Sequence, residues 1–188
     1  MIRAFLAVDL PESYRAGLAV VQDYLKKSRA DVRWTNVAGI HLTLKFFGDI
    51  SEEQVEALAA AASPVAAATP AFTLTAQGVG TFPGPKSPRV IWLGLSGQTE
   101  ILARLVRNLE ETFEPLGFPL EKRQFTPHLT LGRVRSSLGR EALRQSLQTM
   151  ALPEFGQFQV QHLVLYRSTL RPQGALYTPL RRIILSSS

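Results

Sequence analysis

Cysteine is absent from the 188-residue chain, and histidine occurs only three times. The missing thiols exclude disulfides, thiolate catalysis and cysteine-ligated zinc together, and they fit a cytoplasmic location. Acidic residues are also short, 15 Asp and Glu against 21 Lys and Arg, which leaves a formal charge of +6. No long hydrophobic run is present. The Leu/Ala-rich stretches near 55–68 and 101–106 are too short and too interrupted to span a bilayer, so no membrane partner is expected. Met1-Ile2-Arg3-Ala4-Phe5 is not a charged segment leading into a long apolar core, so no signal peptide is read. Glycine-rich phosphate loops are missing as well, which disfavours doubly wound nucleotide-binding folds.

What is present describes a globular protein. Hydrophobic residues make up 45% and charged residues 19% of the chain, enough apolar surface for a packed core at this length. A single two-lobed domain over residues 1–188, acting as a monomer, is expected. The basic excess, mostly arginine, points to an anionic partner, since the guanidinium fork matches phosphate geometry; a generally basic surface without a partner is the alternative.

Two of the three histidines fall in a duplicated tetrapeptide, His41-Leu42-Thr43-Leu44 and His128-Leu129-Thr130-Leu131. In a β-strand the period of two puts His41 with Thr43, and His128 with Thr130, on one face, and the four leucines on the other. Each copy then holds an imidazole beside a hydroxyl on a rigid element with an apolar back. Packing alone would be served by Val, Ile or Tyr. The third histidine, His162, sits in an alternating strand with no Thr two residues on and reads as structural. Tyr166 on the same strand fits either core packing or a cleft wall.

Along the chain, Ile2 to Leu10 reads as a buried strand, and Pro11-Glu12-Ser13 opens a helix that ends near Lys26-Lys27. Val32 to Thr35 is a short extended piece, followed by a strand over His41 to Phe47 that Gly48-Asp49 closes. Ser51-Glu52-Glu53-Gln54 has the pattern of a capping box ahead of an Ala-rich helix to about Ala67. Phe72 to Ala76 alternates as a strand, Gly78 to Pro88 reads as a loop, and Arg89 to Leu95 is a further strand. Gln98 to Leu116 is amphipathic with Gly117 as its stop, and the segment from Phe118 to Phe125 reads as polar and exposed. A strand from His128 to Arg133, a helix over Ser137 to Met150 and a long strand from Phe158 to Tyr166 follow. A hairpin partner over Ala175 to Leu185 and a frayed tail at Ser186 to Ser188 complete the chain. These elements predict an α+β fold, a bilobal pseudo-twofold duplication with two antiparallel sheets flanking a central cleft and helices outside.

The motifs resemble those of the two-histidine phosphoesterase superfamily, most closely its bacterial and archaeal RNA 2′,3′-cyclic phosphodiesterases, also called 2′-5′ RNA ligases. The resemblance is carried by His41-Leu42-Thr43-Leu44-Lys45-Phe46-Phe47-Gly48-Asp49 and Thr126-Pro127-His128-Leu129-Thr130-Leu131-Gly132-Arg133. Arg3-Ala4-Phe5-Leu6-Ala7-Val8, Leu165-Tyr166-Arg167-Ser168, Gly174 and Tyr177 add to it, so that it covers nearly the whole chain. It implies hydrolysis of a 2′,3′-cyclic phosphate at an RNA end or on a nucleotide to a 2′-phosphate; no carboxylate cluster lies near either motif, so no metal or other cofactor is expected. His41 would donate a proton to the leaving 3′ oxygen, and His128 would activate water. Thr43 and Thr130 would bind the non-bridging oxygens, and Phe46 and Arg133 would contact nucleotide or phosphate.

Strict alternation conflicts with the last assignment, because it places Phe46 and Arg133 on the leucine side. A bulge in each strand would resolve the conflict. Otherwise Lys45, whose parity matches His41, is the cation expected in the cleft. Two other functions remain open at this point: joining a cyclic end to a 5′-hydroxyl by the reverse chemistry, and binding RNA ends through a basic surface without turnover. A histidine-ligated metal protein is disfavoured, since the closely spaced ligands are missing.

Overall fold

The computed structural model describes residues 1–187. In chain order its strands are β1 (Ile2–Val8), β2 (Val32–Trp34), β3 (Leu42–Ile50), β4 (Phe72–Phe82), β5 (Val90–Gly97), β6 (His128–Val134), β7 (Gln157–Val160), β8 (His162–Arg171) and β9 (Gly174–Ile184). The helices are α1 (Tyr14–Lys26), α2 (Glu52–Ala67), α3 (Thr99–Phe113) and α4 (Arg140–Thr149). Two antiparallel sheets result, one in the order β3-β1-β8-β9 and one in the order β2-β6-β5-β4-β7. This is the α+β arrangement that the sequence predicts.

The helices lie in two pairs: α2 and α3 lie together, with α2 against β8 and β9 and α3 reaching β4, whereas α1 and α4 lie together. α1 is bound to the second sheet by Tyr14, whose hydroxyl donates to Gly156 O at 2.7 Å and accepts from Ala76 N at 3.2 Å. Its buried stripe is Tyr14, Leu18, Val21, Gln22 and Leu25, the spacing of one helical face, with Gln22 the one polar member. α2 starts at the capping box read from sequence, Ser51 Oγ accepting from Gln54 N and Gln54 Oε1 accepting from Ser51 N. Leu42, Leu44, Leu129 and Leu131, the apolar backs of both motif strands, belong to one continuous core.

Neither sheet corresponds to one half of the sequence. The first takes β1 and β3 from the beginning of the chain and β8 and β9 from its end. Boundaries also differ from the sequence reading: β3 runs through Gly48 and Asp49 to Ile50, α4 starts only at Arg140, and three differences are larger. β4 runs to Phe82 through the stretch expected to be a loop, because Gly78 at φ +76° takes up an irregularity between Ala76 and Val79 and pairing with β5 resumes beyond it. The strand expected as one piece over Phe158 to Tyr166 is broken at Gln161, where the chain leaves the second sheet as β7 and enters the first as β8. Ser186 is not frayed: its N–H donates to Thr69 O and its carbonyl accepts from Ala71 N, whereas Ser188 lies outside the described residues.

Candidate active site

His41 is the residue just before β3, on the edge strand of the first sheet, and His128 opens β6 in the second sheet. The two strands approach to within 8 Å, Cα to Cα. In both copies the ring Nδ1 lies 2.7 Å from the carbonyl oxygen two residues back, Gly39 for His41 and Thr126 for His128. A carbonyl can only accept, so Nδ1 carries the proton in each of these bonds, and Nε2 has no hydrogen-bond partner among the described residues. The duplication therefore extends from sequence to the way each imidazole is held.

The walls differ. His41 stacks on Phe5 at 4.6 Å between ring centroids and meets the ring of Tyr177 edge-on at 5.0 Å, whereas His128 meets Phe82 edge-on at 5.0 Å. Burial among these rings pushes the His41 pKa below the ordinary histidine value, opposed by the Gly39 carbonyl and the Asp9 carboxylate. A pocket of about 240 Å³ opens beside His41, with Asp9, Arg15, Tyr166 and Tyr177 in its lining. In it, the Tyr166 hydroxyl donates to Asp9 Oδ1 at 2.5 Å, and burial and that bond push the phenol pKa up. Tyr166 thus lines a pocket that His41 also lines. His162 is 3.9 Å from the other Asp9 oxygen, does not line the pocket, and carries neither feature of the motif histidines.

A bulge lies at the same place in both motifs. Against β1, Ala7 is opposite Thr43 and Leu6 is opposite Lys45, so Leu44 is skipped and Phe5 comes opposite Phe46; a second irregularity, between Ala4 and Phe5, skips Phe47. Against β5, Trp92 is opposite Thr130 and Ile91 is opposite Gly132, so Leu131 is skipped. Each skipped leucine is the third residue after its histidine. Opposed residues share a face, so the bulge returns Phe46 to the face of Phe5 and His41, and Arg133 to the face of Trp92 and Thr130. Phe46 is 61% exposed there, with its ring 5.7 Å from that of Phe5.

The same bulge overturns the placement of Lys45. It turns to the face of Leu6, where its ammonium donates to Glu110 Oε1 of α3 at 2.7 Å and to Pro119 O at 2.9 Å. Its side chain is 4% exposed, so it is no cleft cation. Sequence reasoning also missed Gln22. From α1 its amide donates to Leu131 O at 2.9 Å and to Thr35 O at 2.7 Å, fixing the carbonyl at the β6 bulge. A lone amide on an apolar helical stripe was the available signal. Phe5, Tyr177 and Trp92 were missed as walls because each reads as an ordinary strand aromatic, and Phe82 because its stretch reads as a loop.

Among the described residues no group of three or more His, Asp or Glu is placed to hold a metal ion, and no helix is long and apolar enough to cross a membrane.

Two antiparallel sheets that each present one His-x-Thr-x strand define a two-histidine phosphoesterase. Residues 15–171 match the family model of the 2′-5′ RNA ligase superfamily, and the chain belongs to that family. It is 37% identical to an RNA 2′,3′-cyclic phosphodiesterase of Methanothermobacter thermautotrophicus over 94% of this chain and 95% of the relative. An RNA 2′,3′-cyclic phosphodiesterase of Methanocaldococcus jannaschii is 31% identical over 94% and 96%. A crystal structure of a Thermus thermophilus protein superposes over 99% of each chain with a TM-score of 0.79 at 29% identity. E. coli LigT complexed with 3′-AMP covers 99% of each chain, with a TM-score of 0.75 at 28% identity.

Proposed function

We propose that the protein hydrolyses 2′,3′-cyclic phosphate ends of RNA to 2′-phosphates, using His41 and His128 as an acid and base pair without a metal. The observation that carries this reading is the matched pair of imidazoles, on strands from different sheets, each with Nδ1 tied to a carbonyl and Nε2 free. The names of the relatives and the 3′-AMP complex of LigT support the substrate class.

In-line displacement at phosphorus needs a base on one side and an acid on the other. His128 Nε2 takes a proton from water as its oxygen bonds to phosphorus. His41 Nε2 gives a proton to the 3′ oxygen as the bond from that oxygen to phosphorus breaks. A 3′-hydroxyl and a 2′-phosphate result. Thr43, Thr130 and Arg133 stabilise the charge developing on the non-bridging oxygens, and Phe46 offers an aromatic face to the nucleoside. The lowered pKa of His41 favours the neutral ring in the free enzyme, and an arriving phosphate anion favours the protonated donor form.

Incubation with a nucleoside 2′,3′-cyclic phosphate should yield the 2′-phosphate isomer, with turnover retained in EDTA. His41→Ala and His128→Ala should each cost a factor of roughly 10²–10⁴ in kcat/KM. Removing the donor should abolish the fall at alkaline pH, and removing the base the fall at acid pH. Wild-type rates in both variants, or a 3′-phosphate product, would overturn the reading.

A further inference from the structure

Arg33 is the middle residue of β2, the outer strand of the second sheet, and is directly opposite Arg133 of β6. Arg133 is in turn opposite Val90 of β5. Opposed residues in an antiparallel pair have Cα atoms roughly 5 Å apart and project from the same face. Two exposed guanidinium groups therefore stand side by side on the face that carries Thr130, one strand apart. Neither forms an ion pair among the described residues. The contrast with Arg135 is informative, because Asp31, just before β2, is taken up by Arg135 at 2.8 Å rather than by Arg33.

Like charges directly opposite each other destabilise a sheet, so this pair suits an anion supplied from outside. Arg133 and the two threonines already match the demand of one phosphate. A nucleoside cyclic phosphate carries no other. An RNA strand carries one phosphate per nucleotide, and the next one along the chain is the second anion available. We propose that Arg33 binds the phosphodiester on the 5′ side of the terminal nucleotide, which makes the enzyme selective for RNA ends over free cyclic nucleotides. This inference rests on the reaction assigned above. Contacts of this kind position a nucleic acid without reading its sequence.

The test compares a nucleoside 2′,3′-cyclic phosphate with a tetranucleotide ending in a 2′,3′-cyclic phosphate, in wild type, Arg33→Ala and Arg33→Lys. Arg33→Ala should lower the ratio of kcat/KM for the tetranucleotide over that for the nucleoside by roughly tenfold, the worth of one hydrogen-bonded charge contact. The slope of log kcat/KM against log salt for the tetranucleotide should become shallower by about 0.7, and Arg33→Lys should restore the slope. An unchanged ratio would overturn the inference, whether because Arg33 serves the reacting phosphate or because it serves none. If wild type turns over neither substrate, the assigned reaction fails, and fluorescence anisotropy of a 3′-phosphorylated tetranucleotide decides Arg33 separately. Weaker binding in Arg33→Ala with a shallower salt slope supports the contact, and equal binding overturns it.

Discussion

Lys45 and Glu110 form an ion pair whose side chains are 4% and 11% exposed. The second Glu110 oxygen accepts from Glu121 N at 2.6 Å, so the pair ties β3 to α3 and to the segment after Gly117. Removing one member of such a pair leaves the other charged and buried, at a cost of roughly 3–5 kcal/mol, whereas replacing both with apolar residues of similar volume costs little. Lys45→Ala should therefore lower the denaturation midpoint sharply, and Lys45→Met with Glu110→Leu should recover most of the loss. Chemical denaturation monitored by circular dichroism checks both. A double variant as unstable as the single one would show that the pair holds its surroundings by geometry and not merely by compensating charge. At this scale the sequence was legible where the duplication speaks and misleading where alternation does. His41, Thr43, His128 and Thr130 follow from a repeated tetrapeptide. Lys45 was misplaced because parity counting assumes that no residue is skipped, and the skipped Leu44 looks like any other strand leucine.

The bulges are features of elements, since each re-aims everything downstream of it in its strand. In β6 the carbonyl at the bulge receives the N–H of Thr35 at 2.9 Å as well as the amide of Gln22. Gln22→Leu keeps the volume and removes the donor, leaving Thr35 O without its partner and Leu131 O with only the N–H of Thr35. We expect a loss of about 1–3 kcal/mol in stability, together with a drop in kcat/KM, because the bulge sets the face of Arg133. The check is to measure both at a temperature where the variant remains folded. A stability loss without any change in rate would mean that the bulge holds without Gln22. The helices were legible from spacing and capping residues, as the Ser51 box shows. The extent of β4 was not, since Gly78 reads as a loop residue in sequence and acts as a hinge within a strand in the structure.

The scale of the molecule brings in pH. Burial holds His41 below its ordinary value of 6.5, so below that pH the unfolded chain takes up a proton that the folded chain resists. The contribution is fully favourable above the unfolded value and is lost as pH falls towards the lowered folded one. His162 is shifted in the same direction, by burial and then by Arg182. Thermal unfolding should therefore show Tm falling as pH drops through 6.5, and less steeply in His41→Phe, which keeps an aromatic ring against Phe5. An equally steep fall in that variant would assign the effect to other groups. Two antiparallel sheets were legible from the alternation of short strands. Their membership was not, because β1 pairs with β8 across nearly the whole chain, and nothing local to either strand names its partner.

That distant pairing bears on how the protein is made. β1 is synthesised well before β8, yet it occupies the interior of its sheet between β3 and β8. One edge of β1 is bare until β8 has been synthesised and has emerged. During that interval the nascent chain exposes unpaired backbone beside Phe5, with Tyr166 and Tyr177 still to arrive over it. Open strand edges recruit other strands, so the growing chain needs protection from its neighbours until β8 has emerged. The wall around His41 is completed only when the hairpin of β8 and β9 closes, and a product that stops before β9 lacks Tyr177 from that wall.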